Sequence, residues 1–566
     1  MKKQVAFAAA LAAGITAQAA TVYVSGDITN STVWTSDNVY TMTNQVFVLP
    51  GASLKIEAGT HVMSDEGSLA VCRGAQIFIL GTSDNPVIMT STSDDLVTYR
   101  STALEWGNLT VMGNALISAT TDGTGTGEPD GTDDAPMEGL TAAYPGDPNV
   151  RYGGNNDDDD SGTIQYVSFR YGGKVLGLGN ELNGLSMGGI GRGTDVHHVE
   201  IMNNVDDGIE TWGGTVNYKY VSIWNVGDDS FDIDQGWRGK AQFGLIVQGY
   251  SLDAKQGSGI GDNCMEMDGA EVASAQPVGT AQFYNFTVIG QPGDFNPGGD
   301  QGTEWRDGMR AQIRNSIFMD IGDKLFKNAI SDNEHGTMGY GIDGVPTLES
   351  LFATPFNSYP TNSIGVNPVA LYPNFFDGNM AELKSCVFYN LHETGSITDT
   401  NYNIMADGNM NILASELPIQ GIERGATVSL QSDSYDMMPV TFLNPCAAND
   451  AVTTSMMAPN DGFYTPASYK GAFSPNYNWL AGWSAADAYG MTDTSMNNLE
   501  VPSASLGLGA AVSFQSDAGV SYDIEATDNL TNGWMVVDTV VGDGSVKTYV
   551  DTYLPSAQYY RVVITP

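Results

Sequence analysis

The sequence predicts an all-β chain: a long stacked β-solenoid followed by a small separate β-module. Three observations carry this. Short apolar runs bounded by Gly, Asn and Asp recur from end to end, while segments with 3.6-residue periodicity are scarce. An eight-residue pattern repeats without gaps at offsets of 22 and 34 residues. The 67 glycines follow no Gly-X-Y period, so they punctuate turns rather than build a collagen.

The first strands are predicted at Gln45 to Leu49, Ser53 to Glu57, Leu69 to Cys72, Gln76 to Leu80 and Pro86 to Thr90, with turns such as Pro50-Gly51 and Asp84-Asn85. Further on, Gly227 to Asp234 (GDDSFDID) aligns on Val205 to Trp212 (VDDGIETW) and on Gly261 to Asp268 (GDNCMEMD). Asn183 to Met187 reads as an earlier copy and Gly322 to Lys327 as a degenerate later one. A second strand family accompanies them, centred on Glu200, Ser222, Leu245, Thr287, Ile317 and Val387. Two strands per unit at a period of 22 or more fit a parallel solenoid, whereas propeller blades need roughly 40–50 residues. Past residue 491 the texture changes. Val520 to Glu525, Trp534 to Val537, Lys547 to Val550 and Tyr559 to Ile564 alternate between Asn-Gly and Gly-Asp turns, as a β-sandwich-like module does. The expected organisation is a signal peptide over 1–19, the solenoid over 20–491, a linker over 492–505 and the module over 506–566.

The leader rests on Lys2 and Lys3, an apolar run, and Ala17-Gln18-Ala19 before the cleavage point. That run is shorter than the ~20 residues a membrane span needs, so a secreted or outer-surface location is expected. The 66 acidic residues against 23 basic ones give a net charge of −43 over 566 residues. Such a chain repels nucleic-acid phosphates and anionic headgroups. Cations and neutral ligands remain as partners. Four cysteines (Cys72, Cys264, Cys386 and Cys446) without CxxC spacing, and five histidines without HExxH, argue against zinc and thiol-redox chemistry. One or two disulfides are compatible with these cysteines, and no pairing follows from the sequence. His197-His198 reads as ordinary strand residues.

Alternation sets the direction of each side chain. Ile209, Phe231, Met265 and Phe326 should point into the coil, and Glu210, Asp232, Glu266 and Lys327 outward into solvent. The flanking carboxylates extend this into an acidic ladder: Asp206, Asp207, Glu210, Asp228, Asp229, Asp232, Asp234, Asp262, Glu266 and Asp268. Carboxylates on rungs ~4.8 Å apart repel by about 3 kcal/mol at an effective dielectric of 20. Bound calcium, with six to eight oxygen ligands, relieves such a column, and full solvation is the plainer alternative. A second acidic stretch, 122–160, is expected to be an exposed or disordered loop insertion.

Leu54 to Thr60 (LKIEAGT), Arg73 to Ile77 with Gly81-Thr82, Glu105 to Leu109 (EWGNL), Ser161 to Val167 and the Asp-Asp repeats resemble a group of large secreted bacterial proteins. So do Asp461 to Pro466, Tyr469 to Phe473 and Asn478 to Trp483, which look like that group's closing segment. The resemblance covers about 22–491. It implies a pectate-lyase-like right-handed parallel β-helix with long loop insertions, and for the tail a small module common at the C-termini of secreted bacterial proteins. It implies little about activity, because such folds carry lyases, hydrolases, adhesins and passive surface proteins.

Two chemistries compete. Trp212, Trp237, Arg238, Arg306 and Arg310 lie in or beside the repeats and are candidates for glycan binding, indoles stacking on sugar rings. Carboxylate pairs such as Asp206/Asp228 or Asp229/Asp232 suit acid and base roles in glycoside hydrolysis. Gly227-Asp228-Asp229 resembles the aspartate pair of β-helical polygalacturonases, whose Gly-His-Gly and Arg-x-Lys elements have no counterpart here. A pectate-type lyase needs calcium and a base, for which Arg238, Lys240, Arg306, Arg310 and Arg314 are available. The sequence favours non-catalytic glycan binding or adhesion with calcium-associated acidic rungs. A polysaccharide lyase or hydrolase comes second and a structural envelope protein third. It names no catalytic residue, ligand or oligomeric state.

Overall fold

The computed structural model describes residues 19–119, 134–174, 176, 182–249, 261–270, 275–293, 301–329, 339–342, 344–356, 374–375, 377–430, 435–498, 510–527, 534–542, 544–551 and 559–564. The expected leader lies outside the described residues, apart from Ala19. Two compact units divide between Asn497 and Asn498.

The first unit is a parallel β-helix. One face is a nine-stranded sheet running Val46–Val48, Leu69–Val71, Leu109–Met112, Leu185–Gly188, Ile209–Trp212, Phe231–Asp234, Met265–Met267, Thr303–Trp305 and Phe326–Asn328. Its register pairs Leu185 with Ile209, Ile209 with Phe231 and Phe231 with Met265, as the gapless repeat requires. All four are fully buried inside the coil, and each such side chain stabilises the fold by about 1.5–3 kcal/mol. Close stacking leaves no room before the inward residue: a Cβ on Gly208 would lie 2.4 Å from the Ser230 carbonyl oxygen of the next rung.

The remaining rung strands form a second, larger sheet that bends once per turn. Asp195–Met202, Asn217–Trp224 and Lys240–Val247 pair in parallel, but the register skips His198, Tyr220 and Phe243. These residues and Tyr166 adopt left-handed backbone, with φ of 53°, 57°, 62° and 47° in that order. Such a conformation costs roughly 1–2 kcal/mol for a residue with a Cβ. Stacking offsets it, because the rings succeed one another along the axis at 4.1 Å (Tyr166/His198), 4.3 Å (His198/Tyr220) and 4.9 Å (Tyr220/Phe243). A rung therefore has three strand legs rather than the expected two. The extra leg is short, as in Asp195 to His197, and runs directly into its neighbour without a Gly or Asn turn to announce it.

The rungs end at Ile412–Ala414, which pairs with Val387–Tyr389. The chain then forms an antiparallel pair, Ile419–Arg424 with Val440–Ala447, and folds back over the coil. Leu443, Phe473, Trp479 and Trp483 cover Met202, Trp224, Leu245 and Ile289 on the outer face of the bent sheet. Glu200, fully buried, fastens this covering: its carboxylate accepts from Ser168 Oγ at 2.6 Å and from the backbone N–H groups of Ala485 and Ala486.

The acidic insertion departs from expectation. Residues 122–133 fall outside the described residues, but 134–160 are ordered against the nine-stranded sheet. Ala135–Pro136 pairs with Arg151–Tyr152, and Met137, Leu140, Val150 and Tyr152 bury themselves with Met112, Ile117 and Trp212. Its apolar residues, spaced among the charges, supply an underside, and Asp157 ion-pairs with the buried Arg238. The four cysteines are buried free thiols.

The second unit is antiparallel. Ala510–Gln515 pairs with Val546–Asp551, and Ser521–Thr527 is flanked by Met535–Val541 and Tyr559–Ile564.

Candidate functional site

The outward column of the nine-stranded sheet reads Ser186, Glu210, Asp232, Glu266, Glu304, Lys327, one residue per rung in register. The parity is as expected, but the environment is not. Glu210 and Asp232 are each 7% exposed, so this stretch of the ladder is buried rather than solvated. Outward on a strand means away from the coil core; here neighbouring loops lie over that outer face.

Compensation along the column is uneven. At one end Lys327 Nζ lies 2.8 Å from Glu304, and Arg306 bonds Glu266 at 2.6 Å and both oxygens of Asp268 at 2.8 and 2.7 Å. Burial works against the Arg306 charge, but Asp268 and Glu266 outweigh it and hold the guanidinium more firmly protonated than usual. Nearer the middle, Asp207, Glu210 and Asp232 bring one carboxylate oxygen each within 4.8 Å of the others, and none of the three has an ion pair among the described residues. Asp206, Asp207 and Asp228 form a second such group.

Hydrogen bonds occupy only part of this cluster. Asp207 Oδ1 accepts from the Asp229 N–H at 2.8 Å, Asp229 Oδ1 accepts from the Asn263 N–H, and Asn183 Oδ1 accepts from the Asp207 N–H. The second Asp of each repeat thus ties its rung to the next. Asn183 Nδ2 also donates to Glu210. Asp232 Oδ1 is buried and has no hydrogen-bond partner among the described residues. Burial, and then the surrounding carboxylates, raise Asp207, Glu210 and Asp232 well above the usual carboxylate range. For Glu210 the neighbours are Glu138 and Asp232; for Asp232 they are Glu266, Asp268 and Asp234. Asp229 is raised in the same way, and Asp262, half-buried, less so.

The model of the pectate-lyase-like beta helix domain family matches residues 26–338. The chain belongs to this family. Neither curated proteins nor solved structures gave a match. The acidic cluster lies inside the matched pectate-lyase-like domain, on the face formed by its nine-stranded sheet.

The residues expected to meet a glycan are placed otherwise. Trp237 is fully buried in the coil, its Nε1 donating to the Val216 carbonyl at 3.0 Å. It follows a turn at Gly236 that sends it inward, which strand parity does not describe. Trp212 points outward but is 4% exposed beneath Tyr152, 6.1 Å away between ring centroids. Arg238 is buried and bonds both oxygens of Asp157 at 2.6 and 2.7 Å, which pins the insertion to the domain. Arg310 is 1% exposed, and Arg306 serves Glu266 and Asp268. None of the five presents a stacking or docking surface. Two further residues belong to the cluster: Glu304, whose Gly302-Thr303-Glu304 repeats the Gly208-Ile209-Glu210 pattern, and Asn183, in the early repeat copy, which donates to Glu210.

Proposed function

We propose that this protein is a secreted or cell-surface β-helix that binds extracellular glycan without cleaving it, its acidic rungs holding a calcium ion at Asp207, Glu210 and Asp232. One observation carries the cation: three buried carboxylates converge without an ion pair, and one oxygen of Asp232 without a hydrogen-bond partner, among the described residues. An all-oxygen set of carboxylates suits a hard divalent cation, with calcium preferred where several ligands come from flexible loops and strands. The ion would neutralise the repulsion that Glu210 and Asp232 otherwise exert on each other. Asp206 and Asp228 add negative potential beside it.

The non-catalytic reading draws on the bases. Arg238 is bound to Asp157, Arg306 to Glu266 and Asp268, Arg314 to Asp377 and Glu382, and Lys240 to Asp461. Proton abstraction from a uronan needs a base that can lose its own proton, and Arg306 and Arg314, despite their burial, are held more firmly protonated than usual by the groups around them. Full-length protein incubated with neutral and acidic polysaccharides tests the whole reading. Retention on a glycan without new reducing ends or an ultraviolet-absorbing unsaturated product supports it. Product formation would transfer the assignment to a hydrolase or lyase, and the absence of both signals would favour a structural envelope role.

A further inference from the structure

A second feature lies away from the acidic rungs, on the outer face of the bent sheet. It is a groove of about 500 Å³, within the range of small-ligand sites. The register sets Asp195 beside Asn217 and His197 beside Lys219, a four-residue patch on adjacent rungs. Phe463, from the segment that folds back over the coil, lines it, as does Arg192, which is ion-paired with Asp158 at 2.6 Å.

The walls are fixed rather than draped. Lys219 Nζ donates to the Phe463 carbonyl at 2.6 Å and to Thr465 Oγ1 at 2.8 Å. Asp461, ion-paired with Lys240, accepts from the backbone N–H groups of Phe463 and Tyr464. Gln242 and Thr465 exchange two hydrogen bonds of 2.8 Å. The floor is equally constrained. His198 is clamped between Tyr166 and Tyr220, and its Nδ1 lies 2.9 Å from Nδ1 of His197, so one ring carries its proton there and the other does not. Asp195 Oδ2 lies 3.8 Å from His197 Nε2, with its side chain largely exposed to the groove. The Asn217 carboxamide oxygen accepts from the Lys240 N–H at 2.9 Å, which directs its NH₂ group elsewhere.

The groove thus mixes a carboxylate acceptor, a carboxamide, an imidazole and an ammonium group with one aromatic wall. An anionic ligand would meet Asp195; a cationic one would meet Lys219. A polyhydroxylated neutral ring suits both, because each hydroxyl donates and accepts and the ring's C–H face packs on Phe463. We propose that this groove is a subsite for a neutral saccharide, one or two rings long. The inference rests on the glycan-binding reading above and gives it a location, which the buried Trp212 and Trp237 do not.

The test is titration of the full chain with cellotetraose, mannotetraose and xylotetraose, with trigalacturonate as the acidic comparison. At least one neutral tetraose should bind. Phe463→Ala and the surface change Asp195→Ala should each weaken it by about tenfold or more, and Phe463→Tyr should preserve it, melting curves confirming that each variant folds. Neutral binding that both alanine variants retain would overturn the groove while leaving glycan binding intact. Trigalacturonate as the preferred groove ligand would overturn the neutral class. If the wild type binds neither the oligosaccharides nor any polysaccharide, the glycan-binding reading falls and the groove falls with it.

Discussion

Glu210 and Asp232 sit directly opposite each other on adjacent parallel strands, both outward from the coil and both 7% exposed. Two ionised carboxylates at a rung spacing of ~4.8 Å repel by about 3 kcal/mol at an effective dielectric of 20, and burial adds the cost of desolvation. Asp207 makes the cluster threefold. Protonation or a bound cation relieves it.

A cation that binds only the folded chain stabilises it by mass action, about 2.7 kcal/mol at a hundredfold excess over Kd. Calcium should therefore raise the melting temperature of the full-length protein, and a chelator should lower it again. Coincident transitions in calcium and in chelator would remove structural metal from the account.

Without a cation, pH should act in the direction set by the raised carboxyls. Asp207, Glu210 and Asp232 keep protons in the folded state at pH values where unfolded carboxyls, near 3.9–4.3, have lost them. The folded state then binds more protons, so stability falls as pH rises from about 4 through the raised folded values. Asp232→Asn removes one of the charges. In chelator it should melt higher than wild type, the gap widening from pH 5 to about pH 8, and it should lose most of the calcium increment. A variant that melts below wild type in chelator at both pH values would contradict the buried-repulsion argument.

His198 carries the opposite sign. Burial, and then the neighbouring His197 and Lys219, push it from 6.5 down to about 3, so the folded state refuses a proton that the unfolded chain accepts. Its contribution is complete above pH 6.5 and lost progressively as pH falls toward 3. His198→Phe should keep the ring stack, since Tyr166, Tyr220 and Phe243 hold the same left-handed backbone in the same column. The variant should show a shallower loss of stability between pH 6.5 and 4 in melting experiments. An acid limb as steep as that of wild type would assign the slope to other groups.

Glu200 connects the coil to its covering segment. Glu200→Ala leaves the Ala485 and Ala486 N–H groups without this buried acceptor and Arg170 without a nearby counter-charge, a change expected to cost about 3–5 kcal/mol. Chemical denaturation measures it; a loss below about 1 kcal/mol would mean that apolar packing of Trp479 and Trp483 suffices.

Much of this was legible from the chain alone. The gapless repeats at Val205, Gly227 and Gly261 became strand register, because stacking like on like is how a solenoid buries a face that a single unit cannot. Period-two alternation then put Ile209 and Phe231 inside and Glu210 and Asp232 outside. The short leg Asp195 to His197 was not legible, since a bend at an ordinary His carries no composition signal.

What alternation could not supply was the fate of the outer surface. Burial there is set by segments distant in sequence: Tyr152 over Trp212, Asp157 on Arg238, Arg306 on Glu266, and Phe463 beside Lys219. The local pattern therefore determined the β-helix, its register and the existence of an acidic column. The tertiary structure decided which carboxylates are compensated, which tryptophans are hidden and where a groove opens, because desolvation and ion pairing depend on what lies across the face and not on what precedes it in the chain.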